Sequence, residues 1–269
     1  SLGAPRLEIE GAAIGTLFAR LFEFAVIVGY FFTRDSKIQY CVQDLRMKCT
    51  SLLHEYIMVS VPVFVSDGLL ALGTTAVAMI MGRISKEFVS ANSITFVTQQ
   101  LSTVLIQGIC HAGCIVTGHT LGKGDTRKAQ EQAWTFLELG VSIGIVAGLI
   151  ILAISEPMIQ AYNITDHTKN IARQLMDAMA LIIVFQSANS ILTKGVLRGG
   201  GDTKFLMVAD ILFLWIVSIP LGALAGLYWH LSAFWIYVFL KIDQVIKAIW
   251  CVFRLKSGKW IKTIKGSKK

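Results

Sequence analysis

The residues of this chain that could do chemistry are ionisable side chains standing inside apolar stretches. They are Arg20 and Glu23, Asp67, Asp210, Lys241, Asp243 and Lys247. A charge in such surroundings costs several kcal/mol unless it is paired, hydrated or used. Arg20 and Glu23 are three residues apart and Asp243 and Lys247 four, so on helices each couple shares a face and can pair. Lys241 lies two residues from Asp243 and points elsewhere, toward a bundle interior. Asp67 and Asp210 have no basic residue within a helical turn. Desolvation raises the proton affinity of an unpaired buried carboxylate, which is what a proton-coupled site requires. Each could equally be a hydrogen-bonded helix contact or line a water-filled space. Gln100, Thr103, Gln107, His111 and Cys114 recur at intervals of 3, 4, 4 and 3, which is one helical face, turned toward a bundle or a cavity. Asn189 joins this polar set.

Other chemistry finds little support. Cys110, His111 and Cys114 do not make a tetrahedral metal set, so no metal is expected. Five cysteines in 269 residues are too sparse, and odd in number, for a disulfide scaffold. Cys41, Cys49 and Cys251 read as reduced thiols. No zincin, nucleophile-elbow or phosphate-loop pattern is present. Gly199-Gly200-Gly201-Asp202-Thr203 is glycine-rich but lies between apolar stretches, without the strand–helix setting of a phosphate site. An enzyme is not expected, nor a cofactor. Asn163-Ile164-Thr165 fits the glycosylation triplet, which is common by chance.

The elements that hold these residues are long and apolar. The chain is 54% hydrophobic and 16% charged, with a mean hydropathy of +0.63. Soluble domains carry about a quarter charged residues. Disorder is excluded, since it needs the opposite balance. Seven stretches reach the roughly 20 apolar residues that cross a bilayer: 11–32, 53–82, 93–118, 133–154, 171–192, 205–227 and 231–253. Backbone groups in lipid must be satisfied within the element, so each is expected to be a helix. The fold class is an all-α membrane protein with seven transmembrane helices.

The net charge of +8 is placed rather than scattered. The connections 33–52, 119–132 and 193–204 and the tail 254–269 hold 17 of the 25 Lys and Arg residues, and all four fall on one side if the helices alternate. Basic residues near short loops mark the cytoplasmic side. The chain is therefore read as a multi-pass protein of the cell membrane, N-terminus outside and C-terminus cytoplasmic. The lipid bilayer is its expected partner. Nucleic acid is not, because no basic patch with interleaved aromatics exists outside the tail.

The longest polar connection, 33–52, is read as a linker between one helix (1–32) and a six-helix bundle (53–253), followed by a basic tail (254–269). Pro62 and Pro220 lie within apolar stretches, where each removes a backbone donor and favours a kink, either a fixed bend or a hinge. Gly122, Gly124, Gly199, Gly200 and Gly201 are expected to shape tight turns by adopting positive φ. Arg198 and Asp202 are expected to brace the second of these turns.

Two segments resemble a known family. One is Gly195-Val196-Leu197-Arg198-Gly199-Gly200-Gly201-Asp202-Thr203-Lys204-Phe205, with Asp210, Trp215 and Ile219-Pro220-Leu221-Gly222 after it. The other is Gly118-His119-Thr120-Leu121-Gly122-Lys123-Gly124-Asp125, then Arg127, Lys128 and Ala129. Both are similar to the multidrug and toxic compound extrusion (MATE) transporters, and Gly11–Thr16 with Arg20 is similar to that family's sixth helix. The resemblance implies a two-lobe, twelve-helix transporter, of which this chain would supply helices six to twelve, including the whole second lobe. It also implies a missing N-terminal lobe, small cationic or amphipathic organic substrates, and H⁺ or Na⁺ as coupling ion. On that reading Arg20, Glu23, Asp67, Gln100, Gln107, Asn189, Asp210, Lys241 and Asp243 would line the pathway. The sequence departs from one branch of the family. Leu70 and Ser187 stand where that branch places a cation-binding Glu and Asp, and Asp67 lies about one turn from the first of them. A lipid-linked oligosaccharide flippase of the same superfamily, or a membrane module without transport, are the alternatives.

Overall fold

A computed structural model describes residues 8–34 and 50–261. By its internal contacts the chain forms two units, Ser1–His54 and Glu55–Lys269. The first contains α1 (Glu8–Arg34), a helix whose apolar side chains are largely exposed, as suits a lipid-facing rod. The linker residues 35–49 and the basic tail beyond residue 261 lie outside the described residues.

The second unit is a bundle of rods. α2 (Thr50–Ile84) turns at Ser85 into α3 (Lys86–Gly122). Ser85 stops one helix and starts the next: its backbone is extended, and its hydroxyl accepts the Phe88 N–H at 3.0 Å. The turn from α3 to α4 (Thr126–Ala161) takes three residues. Gly124 has φ +80°, a conformation glycine allows, and the Asp125 carboxylate caps α4 by accepting from Lys128 N at 2.9 Å. Thr165 caps α5 (Asp166–Ser190) in the same manner, so the threonine of the glycosylation triplet is engaged in the helix start.

α4 and α5 touch at backbone distance because Gly140, Gly144 and Gly148 recur every four residues. A methyl on Gly144 would stand 2.7 Å from Val184 Cα, and one on Gly148 2.8 Å from the Ala180 carbonyl. Close approach through small residues is the usual packing device inside membranes. A π-helical segment, Ile191–Leu197, prolongs α5. Its Gly195, and Gly199 beyond it, lie against the carbonyls of Cys110 and Cys114 on α3, at 3.2 and 2.8 Å from where their methyls would be.

The next rod alternates helix types: α6 (Thr203–Ile211), a π segment (Leu212–Ser218), α7 (Ile219–Ala223) and a second π segment (Leu224–Tyr228). The last apolar stretch, expected as one helix, is two: α8 (Ala233–Leu240) and α9 (Ile242–Lys256), divided at Lys241. The division frees backbone carbonyls, and the buried Ser218 hydroxyl donates to those of Leu240 at 2.6 Å and Phe239 at 3.3 Å. Six helices among the described residues are long and apolar enough to span a bilayer, and α8–α9 is the seventh stretch in two pieces.

Two further expectations change here. The connections read at 119–132 and 193–204 are mostly helix, leaving turns of only a few residues. Of the five glycines expected at positive φ, only Gly124 and Gly201 adopt it. Gly199 and Gly200 are needed for space instead: Gly199 lies against the Cys114 carbonyl, and a methyl on Gly200 would strike the Trp260 ring. The two prolines expected to favour kinks take different places. Pro62 is buried within continuous α2, whereas Pro220 stands at the start of α7, directly after a π segment.

The main core is built from Ile94, Ile106, Ile151, Leu175, Met176, Met179, Ile183, Ile191 and their neighbours. A second cluster at the Arg198–Asp202 end gathers Leu192, Leu197, Leu206, Cys251, Leu255 and the fully buried Trp260. Outward, Phe64, Ile115, Leu149, Ile216 and Phe253 are exposed, which lipid tolerates and water does not.

Candidate functional site

α2, α5 with its π segment, α6 and α9 enclose a polar cavity of about 150 Å³. Asp67 and Leu70 come from α2, Gln186, Asn189 and Ser190 from α5, Thr193 and Lys194 from the π segment, and Arg198 from just beyond it. Asp210 comes from α6, and Gln244 and Lys247 from α9. Such a lining within an apolar bundle is unusual, because each polar group must find a partner there.

The partners are specific. Lys247 Nζ lies 3.2 Å from Asp210 Oδ1 and 3.0 Å from Asp243 Oδ2. The Lys247 and Asp243 side chains are 3% and 2% exposed, and Asp210 15%. The Ser66 hydroxyl donates to Asp210 Oδ2 at 2.7 Å. Gln244 links α9 to α5: its Nε2 donates to Asp243 Oδ2 at 2.7 Å, and its Oε1 accepts from Asn189 Nδ2 at 2.8 Å. Farther along the cavity Arg198 Nη2 donates to Asp67 Oδ1 at 3.2 Å. The Gln99 amide of α3 donates to Gln186 Oε1 at 2.9 Å, buttressing the wall from behind. Three buried or half-buried polar atoms of this region keep no hydrogen-bond partner: Asn189 Oδ1, Asp243 Oδ1 and Arg198 Nε.

The Asp243–Lys247 couple forms as the spacing foresees. Asp67 and Asp210, in contrast, are not unpaired. Each takes a cation from a distant part of the chain, Arg198 and Lys247 respectively, so the unpaired carboxylates expected from the sequence are absent. Arg198 reaches across to α2 rather than bracing its turn. The buried Asp202 accepts from Arg254 Nε at 2.7 Å, tying the turn to the end of α9.

The cavity thus assembles Asp67, Asn189, Arg198 and Asp210, with Asp243 behind Lys247. It does not assemble the whole expected set. Gln100, Gln107 and His111 are exposed on α3 away from the cavity lining, whereas Thr95, Thr98 and Gln99 in the same part of the helix are buried or half-buried. Lys241 is half-buried at the division between α8 and α9. Arg20 and Glu23 pair at 2.7 Å on the surface of α1, within the other unit. Leu70 lines the cavity, but Ser187 is fully buried with its Cβ against Gly144, so the residue aligned with the second cation-binding position of one branch of the resembled family is turned into the α4–α5 contact. Sequence reasoning missed Ser66, Gln186, Ser190, Thr193, Lys194 and Gln244. The repeat of polar residues at 186, 189, 190 and 193 was the available signal for the α5 wall. Among the described residues no cluster of His, Cys, Asp and Glu could hold a metal ion.

Comparison with known proteins agrees with this architecture. The chain is 23% identical over 262 residues to the probable multidrug resistance protein NorM of Xylella fastidiosa (strain 9a5c), covering 95% of this chain and 55% of that protein. It is 26% identical over 245 residues to the multidrug resistance protein NorM of Burkholderia vietnamiensis, covering 86% and 52%. The chain therefore spans about half the length of the curated relatives it matches. In three dimensions it is similar to a multidrug resistance MATE family transporter of the MOP superfamily solved in an outward-facing conformation. The TM-score is 0.81 and the identity 16%, covering 94% of this chain and 57% of that one. The MatE family model matches residues 62–224, the span that carries α2 to α7 and most of the cavity, and the chain belongs to that family.

Proposed function

We propose that this chain is the second lobe, with one preceding helix, of a secondary active transporter that exports small organic compounds. It would work by alternating access, opening a path between this lobe and a first lobe to one side of the membrane and then the other. The substrates would be cationic or amphipathic, exchanged for H⁺ or Na⁺. Residues 1–32 would be the last helix of the first lobe and 33–52 the connection between lobes. The basic residues near the connections support an N-terminus outside and a cytoplasmic C-terminus.

The observation that carries this reading is the cavity lined by acidic and basic side chains between α2, α5, α6 and α9, inside a bundle whose outward surface is largely apolar. A static membrane scaffold gains nothing from burying Asp210, Asp243 and Lys247, because a buried ion pair of this kind is worth no more than a well-packed apolar substitute. A transporter needs groups whose charge balance changes as an ion enters and leaves. The names of the relatives support drugs as the cargo. The flippase alternative would require a cationic cavity for pyrophosphate. Here the three cations Lys194, Arg198 and Lys247 face the three carboxylates Asp67, Asp210 and Asp243.

The test is export by the complete transporter in a pump-deficient host. Expression should lower the accumulation of fluorescent organic cations, and the effect should collapse when the proton and sodium gradients are dissipated. Unchanged accumulation across several such dyes rejects drug export.

A further inference from the structure

The cavity wall formed by α5 and its π segment carries Gln186, Ser190, Lys194 and Arg198 at intervals of four, and all of them line the same space. These side chains hold donors that the protein leaves idle. Gln186 is engaged through its Oε1, which accepts from Gln99. Among the described residues no side chain engages the Ser190 hydroxyl. The Arg198 guanidinium carries several N–H donors in a planar fork. Of these, Nη2 serves Asp67 at 3.2 Å. Its Nε is sealed in the protein without a partner, so what the guanidinium offers the cavity is its terminal nitrogens.

The charges around the cavity leave one cation over. Lys247 pairs with Asp210 at 3.2 Å and with Asp243 at 3.0 Å, and the Lys241 ammonium also interacts with Asp243. Those two carboxylates thus meet two cations, and Asp67 matches Arg198. Among the described residues no carboxylate pairs with Lys194, and the exposed Glu138 of α4 is not part of the lining. An exposed lysine needs no partner by itself. This one, however, stands four residues from Arg198 on one wall, where like charges repel, and Asp67 offsets only one of them. An anion between the two relieves that repulsion and occupies the idle donors.

The surroundings fix the class of that anion. The excess is a single charge, and Asp67 and Asp210 line the same space, so a dianion such as a phosphate monoester is repelled. A carboxylate is planar and matches the terminal nitrogens of a guanidinium. Leu70 and Leu206 add apolar surface beside it. At about 150 Å³ the cavity is smaller than the roughly 300 Å³ at which pockets for drug-sized ligands begin, so it takes a headgroup and leaves the rest of the molecule outside. We propose that Ser190, Lys194 and Arg198 form a subsite for the carboxylate of an amphipathic organic compound. This deepens the transport reading by naming a class of cargo. Only the export of such compounds rests on that reading, since the subsite itself rests on the unmatched cation and the idle donors.

The experiment is equilibrium dialysis of radiolabelled naphthoate against the purified full chain in nanodiscs of zwitterionic lipid, corrected for partition into empty discs of the same lipid. The uncharged isostere naphthamide is the control. Naphthoate should bind, and naphthamide should bind roughly tenfold or more weakly, as expected for the loss of a charge-assisted hydrogen bond. Lys194→Met should weaken naphthoate by a similar factor and leave naphthamide unchanged, and Lys194→Arg should restore it. Asp67→Asn should tighten naphthoate, because Arg198 then has no competing carboxylate. Chloride at constant ionic strength should not displace the probe, nor should anionic lipid in the discs. Equal binding of the two probes overturns the proposal, as does a Lys194→Met chain that binds naphthoate like the wild type. Displacement by chloride assigns the site to an inorganic anion and displacement by anionic lipid to a lipid headgroup, and either result overturns it. If Lys194→Met does not give a monodisperse protein, the two probes on the wild-type chain and on Asp67→Asn decide alone. Naphthoate binding without export by the complete transporter rejects the transport reading and leaves the subsite standing. Export of organic cations by a transporter whose chain binds no carboxylate rejects the subsite.

Discussion

Trp260 pins the end of the bundle, and the strength of that pin can be worked out. Its side chain is fully buried, its Nε1 donates to Gln130 Oε1 at 2.8 Å, and its ring lies on Gly200. Trp260→Ala removes a large buried ring and one buried hydrogen bond, and truncation of this kind costs about 3–5 kcal/mol. In a unit of this size one kcal/mol moves the unfolding midpoint by roughly 2–4 °C, so a fall of roughly 6–20 °C is expected. Gly200→Ala acts on the same contact from the other side. The added methyl would stand 2.7 Å from Trp260 Cζ3 and 3.1 Å from its carbonyl oxygen. Gly200 does not have positive φ, so the backbone accepts alanine and the cost is overpacking alone, about 1–3 kcal/mol. The two changes should not add. Once the ring is gone only the tight contact with the carbonyl oxygen remains, and Gly200→Ala should cost less in the Trp260→Ala background than in the wild type. The assay is thermal unfolding in detergent at a fixed heating rate, because such unfolding is irreversible and rate-dependent. Independent sites add to within about 0.5 kcal/mol. Additive costs, or a Trp260→Ala midpoint equal to that of the wild type, would refute the packing argument.

Two further outcomes follow from the bundle. Gly148→Ala should push α4 from α5, since its methyl falls 2.8 Å from the Ala180 carbonyl, and should lower the unfolding midpoint by the equivalent of about 1–3 kcal/mol; an unchanged midpoint would show that the helices part freely. Lys123→Cys, on the exposed turn between α3 and α4, should react with an impermeant thiol reagent only from the cytoplasmic side, compared with a background lacking the native cysteines. Reaction from outside the cell reverses the proposed orientation.

The rods were legible in the sequence because apolar length is a direct consequence of bilayer thickness. Their ends were not. Residues 119–122 and 126–132 looked like loop because they are polar, yet they continue α3 and α4 past the apolar region, where side-chain caps such as Asp125 rather than hydropathy set the boundary. The division at Lys241 was invisible for a different reason. Its stability comes from Ser218, on another rod, which satisfies the Leu240 carbonyl. The same holds for the site. The i,i+4 couple Asp243–Lys247 could be read from spacing, whereas Arg198–Asp67 and Lys247–Asp210 join residues 131 and 37 positions apart. Pairing across rods requires the tertiary fold, which one sequence does not reveal.

The cavity wall on α5 shows how small a departure decides the site. On a strict α-helix each residue turns by about 100°. Five positions on from Asn189, Lys194 would point about 140° away, and nine positions on, Arg198 about 180° away, into the α3 contact. The π segment Ile191–Leu197 lies between them. A single π turn absorbs one extra residue. Lys194 then comes to within about 40° of Asn189 and Arg198 to within about 80°, by the same 100° step. Both line the cavity with Asn189. The same shift leaves Gly195 and Gly199 facing Cys110 and Cys114, where only glycine fits. Two cations that a helical wheel assigns to the back of α5 therefore enter the cavity, and Arg198 can reach Asp67. Without the π turn Arg198 would turn away from Asp67, and of the three cations that line the cavity Lys247 alone would keep its place.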